Sequence, residues 1–193
     1  MKSPWCFFLL ALILALPCAA RDAKQPAPVA DGYALPPAAL QAIVDAPRAP
    51  QLAISPHRDL LSLTQSPSLP GIDVVAQPEL KLAGLRINPR SYSQSRFSFG
   101  QDFWLLDIAS GKEIRISGLP QPLSLASSSW SPDQRHIAFN QVDARTGGNE
   151  LWLVDVAARS ARKLASGLNT VAGRGYRWMP DSQRLLVQLQ QQG

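Results

Sequence analysis

Apolar residues in this chain come in short runs. Leu60-Leu61-Ser62-Leu63, Phe103-Trp104-Leu105-Leu106, His136-Ile137-Ala138-Phe139, Leu151-Trp152-Leu153-Val154 and Arg184-Leu185-Leu186-Val187 are the clearest. Clusters of Ser, Pro, Asp or Gly bound each run, and none is long enough for an ordinary helix. Turn signals recur at short intervals. The pattern predicts an all-β protein made of hairpins. One helix is expected, at Ala38–Val44, where Pro36-Pro37 suits a helix start and Asp45-Ala46-Pro47 a stop.

The runs repeat. Phe103-Trp104-Leu105-Leu106-Asp107-Ile108-Ala109 realigns with Leu151-Trp152-Leu153-Val154-Asp155-Val156-Ala157 at a shift of 48 residues, from 104 to 152. Trp130-Ser131-Pro132-Asp133 realigns with Trp178-Met179-Pro180-Asp181 at the same shift of 48, from 130 to 178. A weaker third copy stands upstream in Ile54-Ser55-Pro56-His57-Arg58. A shared period in the forties suits a four-stranded propeller blade. The expectation is therefore a partial β-propeller of two to three four-stranded blades.

Each unit makes physical sense. Pro132 presets φ for a turn, and Asp133 can accept a hydrogen bond from the backbone two residues on. Asp107 and Asp155 fall at strand ends, where a carboxylate satisfies turn amides. That reading fits both copies of a repeated turn better than metal ligation does. A blade buries both faces between neighbours, so its strands can be apolar throughout.

One stretch does not repeat. Residues 66–100 separate the first hairpin from the Trp104 strand. Loops this long inside a compact fold are usually functional or disordered. The spacing of Ile72, Val75, Leu80, Leu82 and Leu85 favours an ordered excursion.

The beginning of the chain has another character. Lys2 precedes an unbroken apolar run, Trp5–Leu16, followed by Pro17 and the small residues Cys18-Ala19-Ala20. This is the layout of a secretory signal peptide over residues 1–20, cleaved after Ala20. The twelve-residue run is too short to span a membrane, which takes roughly 20. Export to the periplasm or the medium is expected, with a lipid anchor on Cys18 the alternative. Contact with a membrane is expected only through this segment. Residues 21–37 form a Pro/Ala-rich lead-in, and 38–193 the N-terminal part of a propeller domain.

Composition narrows the chemistry. Cys6 and Cys18, the only two cysteines, fall in the signal segment, so disulfides, cysteine metal sites and a cysteine nucleophile are not expected. The net charge is +5, and loss of Lys2 leaves 18 basic against 14 acidic residues, or +4. These charges are interspersed, and no zinc-finger or RNA-binding signature accompanies them. A nucleic-acid partner is not expected.

Several segments carry a family resemblance. Leu35-Pro36-Pro37, Ile43-Val44-Asp45-Ala46-Pro47, Ser55-Pro56 and above all the run Gln77–Pro89 (QPELKLAGLRINP) resemble the N-terminal region of glutamyl endopeptidase-like serine peptidases, a branch of the prolyl oligopeptidase family. The likeness covers the chain from Leu35 to Val187. It implies a propeller that restricts access to a C-terminal α/β-hydrolase domain with a Ser-Asp-His triad, whose serine lies on a Gly-x-Ser-x-Gly elbow. It further implies seven blades, roughly 340 residues at a period of about 48.

No catalytic centre of that kind is expected here. The chain has no Gly-x-Ser-x-Gly. Arg96-Phe97-Ser98-Phe99-Gly100 is the nearest approach, with Arg where the first Gly belongs. His57 and His136 each follow a Ser-Pro turn and read as turn or strand residues. Gly147-Gly148 reads as a hairpin turn and not as a phosphate loop. No cofactor or metal is expected. With so few blades, a polar tail after Val187 and the α/β-hydrolase domain absent, the chain reads as a truncated product or fragment, inactive alone. A peptide substrate is expected only in a full-length homologue. The other reading is a TolB-like propeller module for protein contacts. Arg86, Arg90 and Arg96, all in the excursion, are the candidates for attracting acidic peptides through bidentate carboxylate contacts. The favoured role for these loop arginines is nonetheless surface charge or local salt bridges.

Overall fold

A computed structural model describes residues 35–46, 48–143 and 147–191. The signal segment with Ala20 and Cys18, and nearly all of the lead-in, lie outside the described residues. The chain divides after Gln41 into two units. Helix α1 (Ala38–Asp45) begins in the first and has no buried residue.

Beyond α1 the architecture is carried by antiparallel strands. The first sheet holds β1 (Gln51–Ile54), β2 (Leu60–Gln65), β6 (Asp102–Asp107) and β7 (Glu113–Arg115), in that order. The second holds β8 (Leu125–Trp130), β9 (His136–Asp143), β10 (Gly148–Asp155) and β11 (Ser160–Ser166), again in chain order. A third pair, β12 (Tyr176–Trp178) and β13 (Leu185–Val187), begins another unit. These are two complete four-stranded meanders and a partial one, all-β, and among the described residues no sheet closes on itself.

The repeated turn is present three times with one geometry. Arg58, Gln134 and Ser182 donate their N–H groups to Ser55, Ser131 and Met179 carbonyls, each at 3.0 Å. All three donors have left-handed backbone, φ 63°, 64° and 59°, which non-glycine residues adopt reluctantly. The first two turns are 76 residues apart and the last two 48. The excess of 28 is the excursion, inserted between the second and third strands of blade one.

That excursion is ordered. It holds a short helix, α2 (Ile72–Val75), and a small sheet of β3 (Leu80–Leu82), β4 (Leu85–Asn88) and β5 (Ser93–Gln94). Ala83 and Gly84 join β3 to β4 with φ 48° and 83°, the paired positive values of a tight two-residue hairpin. Its leucines do not form a core, because Leu80, Leu82 and Leu85 are all exposed. The apolar spacing there reports strand alternation and not burial.

The core lies between blades. Phe103, Leu105, Ile116 and Leu125 pack against Ile137, Phe139 and Val154. Phe139 stacks on Phe103 and on Trp152, with ring centroids 6.2 Å apart in both pairs. On the opposite face of blade two, Ala138, Leu151 and Leu153 meet Leu168, Tyr176 and Trp178. Successive residues of β9 and β10 thus serve opposite interfaces, as a strand period of two requires. An apolar run without polar alternation is therefore the signature of a blade covered on both sides.

Candidate functional site

The seams between blades repeat like the blades themselves. Trp130 donates its indole N–H to the Ala53 carbonyl at 3.3 Å, and Trp178 donates to the Ser129 carbonyl at 3.2 Å. Ala53 and Ser129 are the same position in successive blades. At the turns, the His57 N–H donates to Gln134 Oε1 at 2.8 Å, and the Asp133 N–H donates to Ser182 Oγ at 3.0 Å. Gln134 and Ser182, the left-handed residues of the second and third turns, therefore each clasp the turn before their own. Gln134 also donates to Asp59 Oδ1 at 2.6 Å. That bond, followed by one from the Ser55 hydroxyl, holds the Asp59 carboxyl below its ordinary pKa.

The strand-end carboxylates serve turns. Asp107 Oδ1 accepts from the Ser110 N–H and Asp155 Oδ1 from the Ala158 N–H, both at 2.8 Å. Asp133 and Asp181 accept from the N–H groups of Arg135 and Gln183, two residues on, at 3.1 Å. Among the described residues, no group of three or more His, Cys, Asp or Glu is placed to hold a metal ion.

The three candidate arginines separate. Arg86 and Arg96 both lie 3.3 Å from Glu79, which also accepts from the Ser95 hydroxyl at 2.6 Å. Lys81 stands 3.9 Å away. The Glu79 side chain is only 11% exposed. The Ser95 bond first, then the cations Arg96, Arg86 and Lys81, hold its carboxyl below the usual glutamate value. Arg86 and Arg96 thus share a carboxylate of their own chain. Arg90 lies elsewhere: its carbonyl is at the close approach to Gly147, where a β-carbon would fall 2.7 Å from the oxygen.

Ser98 lines a cavity of about 440 Å3 together with Phe97, Pro120, Pro122, Gln141 and Glu150. Gln141 holds one wall, accepting from the Ser124 N–H at 2.8 Å and donating to the Pro122 carbonyl at 3.0 Å. Glu150 is engaged by Lys163 and by the Trp152 indole. Neither histidine lines this cavity. His57 is exposed on its turn, and His136 stacks on Trp178 with centroids 6.4 Å apart. Asp73 and Asp143 line the cavity as well.

A second pocket, of about 240 Å3, lies where the excursion meets blade two and the loop leading to β12. Buried Asn149, which donates to the Ser91 carbonyl and to the Thr170 hydroxyl, ties those parts together. Asn140 stands in the pocket wall. Sequence reasoning passed over both asparagines. The available signal was an amide directly after the apolar run of β9, a polar residue at a position covered on both sides.

Four-stranded antiparallel units in chain order, stacked face to face and clasped at equivalent positions, define a protein of the propeller class. Sequence comparison then gives the relationship. The chain is 38% identical over 141 residues to a probable chloroplastic glutamyl endopeptidase of Oryza sativa subsp. japonica, covering 69% of this chain and 15% of that protein. It is 37% identical over 143 residues to the corresponding Arabidopsis thaliana protein, covering 70% and 15%. The chain is thus related to the glutamyl endopeptidase-like branch of the prolyl oligopeptidase peptidases, as an N-terminal propeller portion, and spans about 15% of the length of these curated relatives. No family model matches it. Among solved structures, Pyrococcus horikoshii acylaminoacyl peptidase aligns with TM-score 0.39 and 19% identity, over 67% of this chain and 15% of its own. The β-propeller domain of the Trilobed protease from Pyrococcus furiosus aligns with TM-score 0.39 and 14% identity, over 73% and 34%. The architecture rests on the strands and seams described above and takes nothing from these two alignments.

Proposed function

We propose that this chain is the access-restricting propeller portion of an exported serine peptidase and takes no part in bond cleavage itself. The observation that carries the reading is the match, over 141 residues, to proteins named probable glutamyl endopeptidases. Ser98 stands in Arg-Phe-Ser-Phe-Gly and not in a Gly-x-Ser-x-Gly elbow, which supports a non-catalytic role. Peptide bonds would be cut by a hydrolase domain, with the blades limiting which chains reach it.

Two assays test this. The purified chain should hydrolyse peptide and ester substrates no faster than buffer, and Ser98→Ala should change nothing. Hydrolysis that Ser98→Ala abolishes overturns the reading. In a full-length plant relative, deleting the segment that matches this chain should let large folded proteins be cut. Unchanged exclusion of them counts against an access role. Export is part of the proposal. The secreted form should begin at Arg21, and a lipid-modified Cys18 found by mass spectrometry would replace that cleavage site with an anchor.

A further inference from the structure

The tip of the β3–β4 hairpin stands in solvent. Lys81, Leu82, Ala83, Gly84, Leu85 and Arg86 are all exposed, and a β-carbon on Gly84 would meet no atom within 4 Å. The register pairs Leu82 with Leu85 and Leu80 with Ile87, which sets these four side chains on one face of the hairpin. Leu82 is 67% exposed and Leu85 43%. Clustered leucines at such exposure add little to the fold, and an apolar patch of this kind marks a contact surface.

The pair directly behind the tip is basic. Lys81 lies opposite Arg86, on the other face, and both side chains are more than half exposed. With Arg96 they gather around Glu79, so three cations share one carboxylate. Over residues 66–100, Lys81, Arg86, Arg90 and Arg96 stand against Asp73 and Glu79, four positive charges against two, or +2. This charge selects the occupant. A second copy would cover the leucines but bring a like-charged excursion against this one, which disfavours the pairing. An anionic bilayer satisfies both features. The leucines enter the acyl boundary, and Lys81 and Arg86, one residue back on each strand, extend their long side chains to the headgroups. Among the described residues no helix is long and apolar enough to cross a membrane, so the contact is one of surface docking.

We propose that the β3–β4 tip docks on an anionic lipid surface, with Leu82 and Leu85 in the bilayer interface and Lys81 and Arg86 on the lipid phosphates. The sequence led us to expect membrane contact only through the signal segment, and this second contact lies in the folded body of the chain. It goes beyond the access role proposed above. Its test reads lipid binding rather than proteolysis, so the two can fail separately.

The experiment uses the chain from Arg21 onward, the secreted form proposed above, because the apolar run Trp5–Leu16 would bind lipid by itself. The protein is floated with phosphatidylcholine vesicles that contain or lack phosphatidylglycerol. Binding should be at least about tenfold tighter with phosphatidylglycerol, and should weaken as salt rises from about 0.1 M to about 1 M. Leu82→Ser should weaken it about tenfold and Lys81→Gln about fivefold. Arg162→Gln, an exposed cation on β11, should leave it unchanged. No binding to the anionic vesicles overturns the proposal, as does equal binding to both kinds. So does equal weakening by Arg162→Gln and Lys81→Gln, which would reduce the effect to general charge. A dimer seen by light scattering and abolished by Leu82→Ser, without lipid binding, would assign the face to a second copy instead. Should a hairpin variant fail to fold, the comparison of the two vesicles decides alone.

Discussion

Tyr176 shows how one residue serves two blades. Its ring is buried against blade two, and its hydroxyl donates to the Ala138 carbonyl at 2.7 Å. Burial pushes its pKa up to about 12. Because the folded value lies above the ordinary 10.0, this contribution to stability is complete below pH 10.0 and is lost as pH rises through about 12. An absorbance titration should show one tyrosine ionising late, in step with loss of the native signal. Tyr176→Phe keeps the ring but removes this second bond to a carbonyl already in the sheet ladder, a cost of about 1 kcal/mol in denaturant unfolding. The clasps obey the same logic. Trp178→Phe removes the indole donor and should cost about 1 kcal/mol or somewhat more, since ring area is lost as well. Asp59, its carboxyl held below 3.8, contributes stability above that pH and loses it as pH falls through the lowered value. Gln134→Ala removes the larger of its two side-chain bonds. Acid unfolding of that variant should begin at higher pH than in the parent.

At the scale of elements, the segment that follows β7 of blade one meets the start of β11 of blade two. Ser117 and Ser160 form a parallel bridge, with Ser117 N–H to the Arg159 carbonyl at 2.9 Å and Ala161 N–H to the Ser117 carbonyl at 2.8 Å. Gly118 follows with φ 71°, and a β-carbon on it would fall 2.7 Å from the Ala161 carbonyl oxygen. Gly118→Ala combines left-handed strain with a backbone clash, and should destabilise the fold by about 1–3 kcal/mol by thermal or denaturant unfolding. The small sheet of the excursion is held differently, by Glu79 and the cations around it. Glu79→Gln removes the charge but keeps a hydrogen-bonding group. Hydrogen exchange in β3 and β4 should quicken in the variant near neutral pH. The two proteins should converge in acid, because the parent loses the same ion pairs as Glu79 protonates below 4.5.

For the whole molecule, the stacking of blades decides where stability resides. Blade two is covered on both faces, by the Phe103 cluster on one side and by Tyr176 and Trp178 on the other. Among the described residues blade one is covered on one face, and its edge residues Leu52 and Ile54 are 62% and 56% exposed. Amide exchange should therefore be slowest in β9 and β10 and faster in β1 and β2. Equal protection across both blades would contradict this ordering. Phe139→Ala, at the centre of the shared core, should cost about 3–5 kcal/mol, more than any seam variant.

Much of this was legible in the sequence, for a physical reason. Strand runs, proline turns and carboxylates two residues before their amide partners are local devices. Their chemistry is complete within six or seven residues, so the Ser131–His136 turn and its two counterparts could be read directly. A shared period of 48 then told of stacked blades, because repetition is itself a sequence property. What no local rule contains is the partner across a seam. Gln134 reaches Asp59 over 75 residues, and Arg86 and Arg96 face Glu79 because a two-residue hairpin folds them there. Asn140 is an ordinary strand residue until the excursion, blade two and the loop before β12 enclose it. The blades were written into the chain by repetition and local turn chemistry. The clasps, the ion-paired arginines and the Asn140 pocket were decided by tertiary structure, since each depends on groups that only folding brings within reach.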